Sequence, residues 1–329
     1  MAKVLVIRFS SIGDIVLTSP VIRCLKAQLK GVELHVLTKK NYMSIYSANP
    51  NIDQLHLLGK NVNLTIKQLK AEKFDYIIDL HKNLRTNKIK LLLKQKSYTF
   101  PKLNVQKWVK VNFKLNYLSE NHIVDRYFEA VKPLGVKNDN QGLDYFIPKE
   151  EEINLEKKFK TNKITAVAIG AKFATKSLPK EKFIEILSGI SGTIVLLGGK
   201  EDFSLGAEIQ NELADQKIIN VCGELSLHKS ASVVKQASVL LTHDTGMMHI
   251  ASAFETPIVS IWGNTVPEFG MYPYRPQSKD SFTIHQVEGL SCRPCSKIGF
   301  QKCPKKHFNC MMKQDAKEIQ DAILRNVKN

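Results

Sequence analysis

Short apolar runs recur along the chain, each closed by polar or glycine-containing residues and followed by a stretch with helical spacing. "VLVI" (4–7) predicts a first strand and "IVLTSPVIRCLKAQL" (15–29) the helix after it. "ELHVLT" (33–38), "PNIDQLHLL" (50–58) and "FDYIIDL" (74–80) read as further strand regions. "HKNLRTNKIKLLLK" (81–94) has helical spacing, and "HIVDRYFEAVKPLG" (122–135) predicts an amphipathic helix stopped by a glycine. A second series begins after the charged stretch "PKEEEINLEKKFKTN" (148–162). There the strands "ITAVAIGA", "TIVLLGG", "KIINVCG", "SVLLTHD" and "PIVSIWG" alternate with the helices "LPKEKFIEILSGI", "EDFSLGAEIQNELA", "LHKSASVVKQA" and "GMMHIASAF". "KQDAKEIQDAILRNV" (313–327) is a closing helix. Alternation of this kind implies parallel βαβ units, so the expected class is α/β, with two domains in tandem divided near residue 155.

At 329 residues with 43% hydrophobic content, the chain suits two domains of ordinary size and a folded, non-fibrous protein. No apolar run approaches the ~18 residues of a membrane span. The first residues, "AKVLVIRFSSIGD", hold too short an apolar core for a signal peptide, so the expected location is the cytoplasm. Net charge is +17 and unevenly placed. Residues 1–150 carry 25 Lys/Arg against 12 Asp/Glu, and the remainder 23 against 19. From Leu80 to Ser119 there are ten basic residues and no acid, with Trp108 and Phe113 among the later lysines. A solvated face would explain such a run; an anionic partner, either nucleic acid or lipid phosphate at a membrane surface, explains the one-sidedness and the aromatics as well.

"THDTGMMHIASAFETPIVSIWG" (242–263) places Thr, His, Asp, Thr and Gly at the end of a buried strand and before a helix. Ligands of open parallel sheets collect at that edge. The common nucleotide fingerprints are absent. No G-x-G-x-x-G follows a leading strand, "GTIVLLGGKE" has the wrong glycine spacing for a P-loop, and no D-x-D pair occurs. Nothing in the spacing of His and Glu points to a catalytic metal. A diphosphate held by helix amino termini and a basic side chain is the remaining option.

Four stretches, "RFSSIGDIVLTSPVIRCLK", "DLHKNLRT", "GAKFATKSLP" and "HDTGMMHIASAFETPIVSIWG", resemble the signature regions of the ADP-heptose:lipopolysaccharide heptosyltransferases, glycosyltransferase family 9, in order and across most of the chain. The resemblance implies a GT-B fold, with two Rossmann-like domains facing across a cleft. Residues 1–155 would bind the acceptor and 156–329 the nucleotide sugar, with the C-terminal helix a candidate to pack back on the first domain. It implies an inverting, metal-independent transfer of heptose from ADP-heptose onto the lipopolysaccharide inner core. Asp14 would then be the general base, although an Asp at that position also caps a helix. Lys176 would place a charge on the β-phosphate of the leaving diphosphate. Some relatives have paired hydroxyls earlier in that loop; here Ala171 and Lys172 stand there, which leaves backbone amides or Thr175. Glu201, with Asp202 beside it, is the candidate for the ribose, and either could instead cap the helix. Asp244 would bind sugar hydroxyls, while the amides of Thr245 and Gly246 and the helix dipole favour the diphosphate. Met247 and Met248 line the adenine side or pack in the core, and His249 is a secondary candidate. Ser11, His81, Lys82 and Arg85 would meet the acidic groups of the acceptor, with Asn83 in the same cluster.

Cys292, Cys295, Cys303 and Cys310 form C-x2-C-x7-C-x6-C, a spacing that in a cytosolic chain argues for metal before disulfides. A similar cysteine-rich loop occurs in part of the resembled family without a catalytic role. No cofactor is therefore expected, and reduced thiols or a structural loop are preferred over structural zinc. The expected partners are a nucleotide-sugar donor, an anionic lipopolysaccharide core and the cytoplasmic face of the inner membrane, with no nucleic acid. Two rivals share parts of the pattern. One is a GT-B enzyme using another nucleotide sugar. The other is a basic nucleic-acid-binding protein, which would leave Asp14 and Asp244 unexplained.

Overall fold

The structure is a computed structural model in which residues 2–327 are described. Two separate parallel sheets form. The first holds β1 (Lys3–Ile7), β2 (Glu33–Thr38), β3 (Gln54–Leu57), β4 (Tyr76–Asp79) and β5 (Lys96–Thr99), in the order β3-β2-β1-β4-β5. The second holds β6 (Ile164–Ala168), β7 (Thr193–Leu197), β8 (Ile218–Asn220), β9 (Val239–His243), β10 (Ile258–Trp262) and β11 (Phe282–Gln286), in the order β11-β10-β9-β6-β7-β8. Register is set by apolar neighbours, as in Val4 opposite Leu34 and Tyr76, and Leu240 opposite Ile258. Every residue of β6, β7, β9 and β10 is buried, which is why these strands read as continuous apolar runs rather than alternating ones.

In each sheet the chain reverses direction once. The reversal lies between β1 and β4 in the first sheet and between β6 and β9 in the second. Loops leaving these strand pairs at their carboxyl ends are the natural ligand positions of such sheets. By compactness one unit runs up to Leu103 and resumes over Asn121–Phe146. The other takes Asn104–Glu120 together with the chain from Ile147 onward. A single cut in the sequence does not describe this, because the helix Asn104–Phe113 lies with the second unit.

The closing helix Ala316–Val327 also belongs to the second unit. Ile319, Ala322 and Ile323 follow helical spacing, are at most 1% exposed, and pack on β9, β10 and the helix Lys180–Leu187. Its apolar face is thereby packed on the sheet that precedes it. The helix expected at 15–29 divides into Ile12–Val16 and Ser19–Gln28, with Pro20 near the start of the second piece.

Candidate active site

In the first unit β1 delivers the chain into the turn Arg8–Ser11 and the short helix Ile12–Val16, on which Asp14 sits. Arg8 is 6% exposed and all of its branches are used. Nε donates to the Ser10 carbonyl at 2.8 Å, Nη1 to the Leu80 carbonyl at 2.5 Å and the Tyr127 hydroxyl at 3.0 Å, and Nη2 lies 2.6 Å from Asp14 Oδ1. Burial opposes the charge of Arg8, but Asp14, Tyr127 and Tyr46 outweigh it and raise the pKa. The other oxygen of Asp14 accepts from the Ser11 hydroxyl at 2.8 Å and from the Ser11 amide at 3.2 Å. The helix-cap role open to an Asp at this position is thus realised. The carboxylate nonetheless keeps a quarter of its surface in solvent.

The turn after β4 lies on the other side of the strand reversal. Asp79, fully buried, accepts from the amides of His81 (3.0 Å) and Lys82 (2.8 Å) and has the Lys90 ammonium 2.8 Å from its second oxygen. The His81 ring packs 4.8 Å from Phe9. Burial, then Arg8 and Lys102, push its pKa down to about 4, so the imidazole is neutral at neutral pH. Lys82 extends to the Phe100 carbonyl at 3.0 Å. Arg85, in the first turn of the helix Leu84–Leu93, is exposed. Ser11, Asp14 and His81 therefore gather around Arg8, whereas Lys82 is a structural tie and Arg85 points to solvent.

In the second unit the same two kinds of loop carry a different pair. Lys176 ends a 3₁₀ turn after β6, and its ammonium donates to Asp244 Oδ2 at 2.6 Å and to the Asp244 carbonyl at 2.9 Å. Thr265, just beyond β10, donates to the same Oδ2 at 2.8 Å. Asp244 and Lys176 keep 11% and 17% of their side-chain surface exposed. Thr245 is the N-cap of the helix Gly246–Ala251 but caps with no side-chain hydrogen bond, so the first amides of that helix are left to other partners. Thr175 is committed elsewhere: its hydroxyl donates to the Phe300 carbonyl (3.0 Å) and accepts from the Phe300 amide (2.8 Å).

Glu201 is exposed, while Asp202 turns inward to accept from the Gly199 amide at 2.7 Å. Burial raises the pKa of Asp202, the Gly199 amide opposes this, and Glu201 adds to it. A Cβ on Gly170 would stand 2.1 Å from Asp202 Oδ2, so the carboxylate in its present position packs directly against this glycine. Met247 is half-buried, and Met248 and His249 are buried in the helix Gly246–Ala251. His243 accepts from the Leu178 amide at 3.0 Å, and burial drives its pKa down to about 3.

Four residues of these sites were not singled out from sequence: Arg8, Asp79, Thr265 and Asn264. Asn264 is 1% exposed and, among the described residues, its side-chain amide has no partner on either atom. The signal available for Arg8 and Asp79 was a charged residue set directly at the end of an apolar strand. A cavity of ≈ 440 Å³ elsewhere in the second unit is lined by Leu118, Pro267, Tyr272, Phe282 and their neighbours, and by none of the residues picked from the motifs.

Among the described residues one His/Cys/Asp/Glu group has ligand atoms mutually within 4.8 Å, namely His35, His56 and Glu72. Its members already serve one another and Lys3: His35 Nδ1 lies 2.8 Å from His56 Nε2, and Lys3 Nζ 3.1 Å from Glu72. Cys292, Cys295, Cys303 and Cys310 are free thiols that do not form such a group. Their loop is braced by Arg293, which donates to the carbonyls of Gly263 (2.6 Å) and Thr265 (2.9 Å). No helix among the described residues is long and apolar enough to cross a membrane.

The family model of glycosyltransferase family 9 (heptosyltransferase) matches residues 63–301. The chain belongs to this family and is a glycosyltransferase. Lipopolysaccharide heptosyltransferase 1 of Campylobacter coli is 26% identical over 298 residues, covering 80% of this chain and 84% of that protein. The glycosyl transferase family 9 structure from Veillonella parvula superposes with a TM-score of 0.78 at 20% identity, covering 99% and 97% of the two chains. The structure of Escherichia coli ADP-heptose lps heptosyltransferase II does so with a TM-score of 0.72 at 17% identity, covering 99% and 98%. The fold is GT-B.

Proposed function

We propose that the protein transfers heptose from ADP-heptose to an inner-core sugar of lipopolysaccharide at a membrane surface, with inversion and without a metal. Of the relatives named above, the Campylobacter coli protein is a lipopolysaccharide heptosyltransferase and the Escherichia coli one an ADP-heptose lps heptosyltransferase. The observation that carries the reading is the Lys176–Asp244 pair, held by Thr265 at the strand reversal of the second sheet. There the single carboxylate is already matched by an ammonium. In the ligand-bound state Lys176 turns to the diphosphate and Asp244 accepts hydrogen bonds from donor hydroxyls. Amides at Thr245 and Gly246 add donors to the phosphates. Thr175 contributes by fixing the loop that carries Lys176, and Glu201 or Asp202 meets the ribose.

In the reaction Asp14 takes the proton of the acceptor hydroxyl as its oxygen attacks the anomeric carbon from the face opposite the diphosphate. The bond from that carbon to the β-phosphate oxygen breaks, ADP leaves against Lys176, and the anomeric configuration inverts. Ser11 and Arg8 hold the carboxylate in place, and His81 and Arg85 are the acceptor-side contacts. A thermal-shift panel with ADP, UDP, GDP and CDP, in chelator, tests the donor: ligand at 100 times its Kd adds about 2.7 kcal/mol to stability. Selective stabilisation by ADP followed by heptosyl transfer is expected. Preference for UDP or GDP would move the enzyme to another sugar donor.

A further inference from the structure

The helix Asn104–Phe113 is built the wrong way round for a soluble surface. Its lysines face the protein and its apolar residues face water. Lys110 is 7% exposed and pairs with Glu268 at 3.0 Å, and Lys107 lies 5.5 Å from the centroid of the Phe269 ring. Lys114, one turn beyond, donates to the Pro294 carbonyl at 2.7 Å. These positions share one side of a helix. On the other side Val105, Trp108 and Phe113 are 71%, 54% and 60% exposed, and Leu115 and Tyr117 follow at 52% and 68%. A surface helix normally shows the reverse pattern, and a contiguous exposed apolar patch marks an interaction site.

Lys114 also ties this helix to a second segment, distant in sequence. Residues 102–119 contain no acid, and neither do residues 289–314. In the latter, Lys297, Lys302, Lys305, Lys306 and Lys313 are exposed, and so are Ile298 and Phe300. The fold thus bolts an outward-facing aromatic helix to a basic loop. A two-fold pairing of this surface with itself would set lysines against lysines, so a symmetric dimer through it is disfavoured. An anionic bilayer satisfies both parts, with headgroups for the lysines and the acyl boundary for the rings. Trp and Tyr suit that depth because each is apolar with one polar end.

We infer that the helix Asn104–Phe113, its extension to Tyr117 and the adjoining lysine loop form a docking surface for anionic lipid bilayers. The inference deepens the acceptor side of the proposed function and rests on that reading for its biological sense, but lipid binding and sugar transfer are measured separately. The chain has 2 tryptophans; Trp262 is 1% exposed, so Trp108 reports on this surface. The full chain is titrated with vesicles of phosphatidylcholine alone and with phosphatidylglycerol added, using brominated lipid as quencher. A blue shift and quenching of Trp108 are expected with anionic vesicles, weakening as salt is raised. The double variant Trp108→Ser/Phe113→Ser should lose partitioning by roughly tenfold or more. The same variant should keep the wild-type response to ADP and wild-type transfer to a water-soluble core oligosaccharide. Three results would overturn the inference: no binding to anionic vesicles, binding that the double variant leaves intact, or a Trp108 response to single-stranded nucleic acid and not to vesicles. Wild-type quenching by lipid without any transfer to the soluble acceptor would support the surface and count against the proposed reaction.

Discussion

The two units use one topological device to opposite chemical ends. In each, a charged pair sits where a parallel sheet reverses its strand order. In the first unit the cation is sealed in: the Arg8 side chain is 7% exposed and the Asp14 side chain 25%. The group on offer there is a carboxylate, suited to accept a proton. In the second unit Lys176 is the more open partner, at 17% against 11% for Asp244. That site offers an ammonium, suited to an anion. On the proposed reading, position in the fold sets where the chemistry occurs, and the more open partner of each pair sets the charge that meets the ligand.

Exchange or removal of the offered groups should produce the largest effects. Asp14→Asn is expected to lower turnover by about 10²- to 10⁴-fold while ADP binding, followed by thermal shift, is kept. Unchanged turnover would remove Asp14 as the base. Arg8→Met strips the Leu80 carbonyl, Tyr127 and Asp14 of their buried partner together. It should cost about 1–3 kcal/mol in denaturant unfolding, since the buried Leu80 carbonyl and Tyr127 hydroxyl lose their donor while Asp14 keeps access to water. A smaller loss would mean that water replaces the guanidinium. Lys176→Met should cut turnover by about 10²- to 10³-fold and weaken ADP binding as well, a combination Asp14→Asn should not show. Thr265→Val, which removes one hydrogen bond to Asp244, should cost about 1 kcal/mol of stability and a modest part of donor affinity.

A pH series sharpens the comparison further, because burial lowers the pKa of histidines in both units: His56 and His81 in the first, His243 and His285 in the second, with His81 and His243 moved furthest. His81 titrates at about 4 and His243 at about 3 in the folded chain, against about 6.5 when unfolded. The unfolded state binds more protons between those values. Stability should therefore fall as pH drops below about 6.5, with His81 contributing down to about 4 and His243 down to about 3. His81→Gln should flatten the upper part of that slope in melting curves; an unaltered slope would show that His81 is not the group responsible.

The centres of both sheets were legible in the sequence, and so were the edge strands β3 and β8; the other two edges, β5 and β11, were not. β1, β6, β7, β9 and β10 are apolar runs because both of their faces are covered. β5 (KSYT) and β11 (FTIHQ) are edge strands with exposed or half-buried positions, and their polar residues hide them among loops. The helix Asn104–Phe113 was masked for a different reason. Its lysines read as part of a basic run facing solvent or an anionic partner, whereas the fold turns Lys110 and Lys107 inward against Glu268 and Phe269. In the structure Asp14 lies beside Ser11 and Lys176 against Asp244. The hydroxyl of Thr175 and the ammonium of Lys82 are drawn into backbone contacts that no local pattern announces. Arg8 and Thr265 escaped notice because their partners, at Leu80, Tyr127 and Asp244, lie far away in sequence.

The interleaving of Asn104–Glu120 with the second unit also has a temporal side. Lys114 and its acceptor at Pro294 are 180 residues apart. At ~5–20 residues per second of synthesis, an outward-facing aromatic, acid-free segment waits on the order of 10–40 s for the chain that will hold it. During that interval its contacts with Glu268, Phe269 and Pro294 are not yet made, and the helix is open to early capture by a chaperone or by a lipid surface.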